Sequence, residues 1–314
     1  MNDGIVKMID RVPGDRVPLA SREAEELAPE TFWKEFVCRH QPLVIRGAAR
    51  EWPALKHWQD TRYLCDLAAR DGQYTSVVYY TFNHNVGLPA VDRPALLPVR
   101  ESVPAIVRAG ADETHYVALV DLPQEWEGEL GSYSCLDSDH DLWPRLYPRR
   151  RLYAYRNSGA DWHMHAIDET LTTQIRERKR ISLFCLNAKN WDFYSTAIEY
   201  NLHHVGEGRC FFPSEGLTKF EAILEPGDTV YIPPFYWHAL EPLNHEVGIT
   251  FAHCFCSPLT RIGDLRNPLK RCVLRRARRG RGLHTVPWFM GLLALSRLAR
   301  WRAGEAWDVP TSRG

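Results

Sequence analysis

The pattern of apolar and polar positions changes character partway along this chain. In the first third, apolar residues recur at helical spacing, and Phe32, Trp33, Phe36 and Val37 predict a short helix from Pro29 to Val37. The β-branched run Leu43 to Ile45 predicts a strand that breaks at Gly47 and runs into a Trp52-Pro53 turn. Asp60 is placed to cap a helix through Leu67 that stops near Gly72, and Ser102 with Pro104 opens another that ends at Gly110. Beyond this point HYVALV, RLYAY, RISLF, KFEAIL, TVYIP and VGITFAHCF are short β-rich runs divided by turn residues. Their spacing is that of an antiparallel sandwich or barrel. After Pro258 the strands stop, and the apolar run Trp288 to Leu295 falls in an expected helix from Trp288 to Leu298.

Composition narrows the class. The chain has 314 residues, 45% hydrophobic and 25% charged, which suits an ordinary globular protein with one main core. Its formal charge is zero, so any basic surface must be local. One such region stands out, because residues 261–302 hold twelve Lys/Arg against a single acid, Asp264. The eight cysteines include no C-x-x-C pair, and no secretory apolar segment follows Met1, which together point to a reducing, cytoplasmic compartment. No apolar run is long enough to span a bilayer.

The chemistry gathers in two stretches. DWHMHAIDET, residues 161–170, holds His163 and His165 two apart, followed by Asp168 and Glu169. On an extended strand, residues of equal parity share a face, so His163, His165 and Glu169 point one way and Asp168 the other. About 75 residues later, EPGDTVYIPPFYWHALE runs from a Pro-Gly-Asp turn through a strand to His238. Two close histidines and a remote third, all on antiparallel strands, are the layout of a mononuclear metal site in a small β-barrel. Imidazoles suit Fe(II), Zn, Cu or Ni, and an added carboxylate with open positions suits non-haem iron. The other histidines considered, His204, His245 and His253, read as surface or hydrogen-bonded residues, and Tyr153, Tyr155, Tyr231 and Trp237 as core.

Three blocks carry a resemblance. QPLVIRGAAREWPALKHW, QIRERKRISLF and LEPGDTVYIPPFYWHALE occur in an order that resembles the JmjC-type, cupin-like Fe(II)/2-oxoglutarate oxygenases. The resemblance implies a mainly β fold, a double-stranded β-helix or jelly roll, with N-terminal helices and a C-terminal helical extension. It divides the chain into an N-terminal segment (1–28), a JmjC/cupin-like catalytic domain (29–258) and a basic helical extension (259–314). It also implies Fe(II) in the mouth of the barrel and 2-oxoglutarate as co-substrate. Lys179 stands where the family holds the far carboxylate of 2-oxoglutarate, and Thr170 near a position where relatives carry a polar group reaching the same molecule.

The pattern departs from the family at its centre. The usual H-x-D histidine would fall at Met164, so either His163 with His165, or His165 with Asp168, must replace it. HMHAIDE also resembles the older cupin motif H-x-H-x3-E, which gives His163, His165, Glu169 and His238. Parity ranks three histidines, with or without Glu169, above any scheme that uses Asp168. Near the last strand, Ala252 stands where relatives commonly carry asparagine.

The leading expectation is therefore an Fe(II)/2-oxoglutarate-dependent hydroxylase acting on a C–H bond of a protein side chain or a small molecule. Its alternatives are a three-His dioxygenase or isomerase that ignores 2-oxoglutarate, and a catalytically silent JmjC-like binding protein. The basic tail fits either homodimerisation through its helix or peripheral contact with a membrane, and it contains no recognisable nucleic-acid module.

Overall fold

The computed structural model of the chain describes residues 7–70, 74–79, 95–120, 122–136, 150–163, 165, 168–185, 217–234, 236–256 and 285–302. Its strands are β1 (Asp15–Pro18), β2 (Ser21–Glu23), β3 (Leu43–Arg46), β4 (Thr75–Tyr79), β5 (Ala95–Pro98), β6 (His115–Leu119) and β7 (Arg150–Arg156). They continue as β8 (Ala160–His163), β9 (Asp168–Arg176), β10 (Lys179–Cys185), β11 (Thr218–Leu224), β12 (Thr229–Ile232), β13 (Tyr236–Pro242) and β14 (Gly248–Cys256). Two mixed sheets result, the smaller in the order β1-β11-β10-β13-β8 and the larger β2-β3-β12-β9-β14-β7-β6-β4-β5. This arrangement is consistent with a cupin-like β-fold.

Every β-rich run singled out in the sequence forms a strand, and burial explains why several of them lack clean alternation. β12 and β13 are buried along their whole length, because both faces of these central strands are covered. Val44, Val230 and Ile232 of the large sheet pack against Ile181, Leu183 and Leu240 of the small one. The opposite face of the large sheet meets the helices, where Leu171, Tyr231, Phe251 and Phe255 share a core with Phe32, Trp52, Trp58 and Trp126. Each such buried side chain contributes roughly 1.5–3 kcal/mol.

The helices that build this layer are α1 (Pro29–Thr31), continued by a π-helical turn over Phe32–Val37, α2 (Pro53–His57), α3 (Thr61–Arg70), α4 (Val99–Arg108) and α5 (Gln124–Glu127). Asp60 caps α3 as expected, accepting the amide of Arg62 at 2.8 Å. The start expected at Ser102 is corrected to Val99. Ser102 is buried within α4, and its hydroxyl meets that of Ser76 on β4 at 2.7 Å instead of capping the helix. Two glycines matter for the sheets. Gly227, at a φ of 97°, turns the Pro-Gly-Asp corner ahead of β12. Gly248 lies opposite Tyr155, whose ring an added Cβ would meet at 2.1 Å.

The N-terminal segment is structural. Residues 8–12 lie over the outer face of the small sheet, and β1 and β2 extend the two sheets at their ends. The Glu241 carboxylate on β13 accepts the amides of Met8 and Ile9 at 2.8 and 2.9 Å and the Arg180 guanidinium at 3.0 Å. The Lys219 ammonium donates to the carbonyls of Ile9 and Val12, and the Trp162 indole donates to that of Met8. The molecule divides into two compact units, Met1–Cys256 and Ser257–Gly314. The second contains helix α6 (Thr285–Arg302); its basic stretch 257–284 lies outside the described residues.

Replacing Glu241 with alanine strands two buried amides and removes one of the three carboxylates around the Arg180 guanidinium, and is expected to destabilise the protein by about 2 kcal/mol. Urea denaturation followed by circular dichroism checks this, and an unchanged midpoint contradicts the anchoring role of the segment.

Candidate metal centre

His163 closes β8 and stands directly opposite His238 on β13. Directly opposed residues of an antiparallel pair share a face, and here the two ring centroids are 4.1 Å apart. The pairing shifts register just past His238, a local irregularity of the kind that re-aims side chains beside functional sites. After His163 the chain leaves the small sheet, and β9 begins at Asp168 in the large one. His165 lies in this crossing, its ring 4.9 Å from that of His238 and 5.4 Å from that of His163. One ligand atom from each histidine falls within 4.8 Å of the others.

Second partners orient two of the rings. The His238 Nδ1 lies 2.9 Å from the Tyr236 carbonyl. A carbonyl only accepts, so Nδ1 carries the proton and Nε2 is the nitrogen left to ligate a metal. His165 Nδ1 lies 2.9 Å from the Thr170 hydroxyl. Burial pulls the pKa of His165 and of His238 well below the usual imidazole value, and neighbouring imidazoles and the Arg151 charge push the same way. Both are neutral near pH 7, the form that binds a metal. Three imidazoles in this arrangement fit Fe(II), Zn, Cu or Ni.

The parity argument for Glu169 fails because the strand does not run unbroken from His163. The crossing resets the count. Thr170 is on the side of His165, whereas Glu169 is turned to the other face of β9. There its buried carboxylate accepts a 2.6 Å hydrogen bond from Tyr231 Oη, and the Tyr231 ring packs on Phe32 of the helical layer. Among the described residues, the converging set is His163, His165 and His238, without Glu169. The side chain of Asp168 lies outside the described residues.

Lys179 faces the interior from β10. It has the parity of Leu183, the residue opposite His238, and by strand geometry its Cα sits about 13 Å further along the strand. Its ammonium is 3.7 Å above the Tyr155 ring and 3.4 Å from the Thr250 hydroxyl. Thr250 donates to Gln174 Oε1, and Gln174 Nε2 donates to Tyr155 Oη. Burial brings the Lys179 pKa down to about 7. Another interior cation, Arg151, escaped the sequence reading: its guanidinium donates to Cys254 Sγ at 3.0 Å, and Cys254 lies 3.7 Å from the Thr170 hydroxyl. The signal that locates it is register, since Arg151 pairs with Ala252 on β14 and Ala252 with Thr172 on β9.

A sequence-family model described as a cupin-like domain matches residues 29–91. The matched stretch holds α1 to α3, β3 and β4, ahead of the histidines. Together with the two mixed sheets and the converging histidines, this match is consistent with a metal-binding cupin or JmjC-like oxygenase.

His238→Ala is expected to abolish stoichiometric Fe(II) or Co(II) binding, Glu169→Gln to leave it intact, and Thr170→Val to weaken it about tenfold through the loss of His165 orientation. Metal analysis after loading checks all three, and loss of metal in Glu169→Gln contradicts the assignment. Because His165 and His238 are already neutral, neither releases a proton on binding metal near pH 7. Calorimetry in buffers of different ionisation enthalpy measures this, and release of two or more protons contradicts it.

Proposed function

We propose that the protein is a metal-dependent cupin-type oxygenase in which His163, His165 and His238 hold Fe(II), and whose reaction does not require 2-oxoglutarate. The observation that carries this reading is the convergence of three imidazoles, two of them buried, while Glu169 is engaged by Tyr231 on the opposite face. When bound, iron in such a set supplies Lewis acidity and the capacity to activate O₂. The residues of the chain do the rest. Tyr236 and Thr170 hold the ligand rings, and the packed sheets exclude water. Three neutral ligands leave the full charge of the ion uncompensated, which favours an anionic substrate over a neutral one.

A second reading, 2-oxoglutarate-dependent hydroxylation in the manner of JmjC-type oxygenases, is favoured by one observation. Lys179 is a buried cation whose described contacts are a hydroxyl and an aromatic face. A carboxylate placed against it would relieve the burial cost that lowers its pKa.

Fe(II)-loaded protein supplied with 2-oxoglutarate and O₂ separates the two readings. The expected result is succinate release no greater than that of the His238→Ala variant. Succinate release that Lys179→Ala and His238→Ala both abolish overturns the proposal in favour of the second reading. The pH dependence then has a fixed sign. The free ammonium loses its proton as pH rises through about 7, so 2-oxoglutarate affinity would fall by up to about tenfold per unit above that point. Failure to bind any metal stoichiometrically rejects both readings and leaves a binding protein.

A further inference from the structure

The three histidines belong to the first compact unit, and the last helix is a feature of the second. α6 has Met290, Leu295, Leu298 and Trp301 exposed at 54%, 53%, 41% and 78%. Their spacing of three to five residues lines them along one side of the helix. The surface there is open, since a Cβ added at Gly291 would meet nothing within 4 Å. Arg297 and Arg302 of the same helix are exposed as well. Charge in the chain is strongly segregated. Residues 257–314 carry thirteen Lys/Arg against three Asp/Glu, a formal +10, which leaves −10 on residues 1–256.

We propose that α6 docks on an anionic lipid bilayer, with Met290, Leu295, Leu298 and Trp301 in the boundary between headgroups and acyl chains and with Arg297 and Arg302 at the lipid phosphates. An exposed apolar stripe in a strongly basic region is the combination that binds such a surface. Tryptophan at the end of the stripe fits the headgroup layer. No helix of the described residues is long and apolar enough to cross a membrane, so the helix lies on the surface. Nucleic acid would account for the charge and leave the apolar stripe without a role. Pairing of α6 with α6 of a second copy would cover the stripe, at the cost of bringing two +10 units together.

Co-sedimentation of the full chain with vesicles tests the proposal, using phosphatidylcholine alone or mixed with phosphatidylglycerol. Binding is expected to be at least about tenfold stronger on the anionic vesicles and to weaken with salt. The double variant Leu295→Glu/Leu298→Glu is expected to lose about tenfold of it, and the milder Trp301→Ala part of it, with metal content unchanged in both. Equal binding to neutral and anionic vesicles, or no binding, overturns the proposal. So does undiminished binding of both variants, which leaves charge alone as the cause. A dimer in light scattering that the double variant dissolves, without vesicle binding by the parent, assigns the stripe to a second copy instead.

Discussion

The site depends on the pairing of His163 with His238 across β8 and β13. Side chains alternate along a strand, so a one-residue slip of β13 would move His238 from the interior to the outer face and place Trp237 among the ligands. The register is held on both sides. Inside, Leu183 lies opposite His238 and packs with Leu240 and Tyr236. Outside, Trp237 stacks on Phe184, which in turn contacts Trp162. Glu241 further along β13 binds the N-terminal segment. The third ligand follows from topology, because the chain crosses between sheets directly after His163 and brings His165 back over the pair.

Electrostatics give the interior its chemical character. Burial keeps His165 and His238 neutral, and it penalises the charge on Lys179. The carboxylate closest in sequence whose placement is described, Glu169, serves the helical layer, where its hydrogen bond to Tyr231 ties β9 to β12. Arg151 and Lys179 face the same interior as the three histidines. Cations arranged in this way favour anionic ligands, whether substrate or co-substrate.

Much of this was legible in the sequence, for reasons that can be named. β-branched runs such as TVYIP and VGITFAHCF form strands because their residues suit a two-sided buried sheet. The Pro-Gly-Asp turn was readable because Gly227 supplies a positive φ, and Asp228 then binds the amides of Gly47 and Glu225. His163, His165 and His238 were readable from spacing, whereas counting parity did not suffice for Glu169. Parity counting presumes an unbroken strand, and the crossing after His163 is a tertiary event that no local pattern announces. β1 and β5 were missed because DRVP and ALLP are too short to show periodicity. Arg151 was missed because its place beside the ligands arises from the register of β7, β14 and β9, which pairs residues distant in sequence.

The central claim is a metal held by three imidazoles and no protein carboxylate. X-ray absorption at the iron edge of the Fe(II)-loaded full chain tests it most directly. The account predicts three imidazole ligands, with a ligand sphere that is the same in the parent, Glu169→Gln and Asp168→Asn. A carboxylate oxygen lost from that sphere in either variant would contradict it.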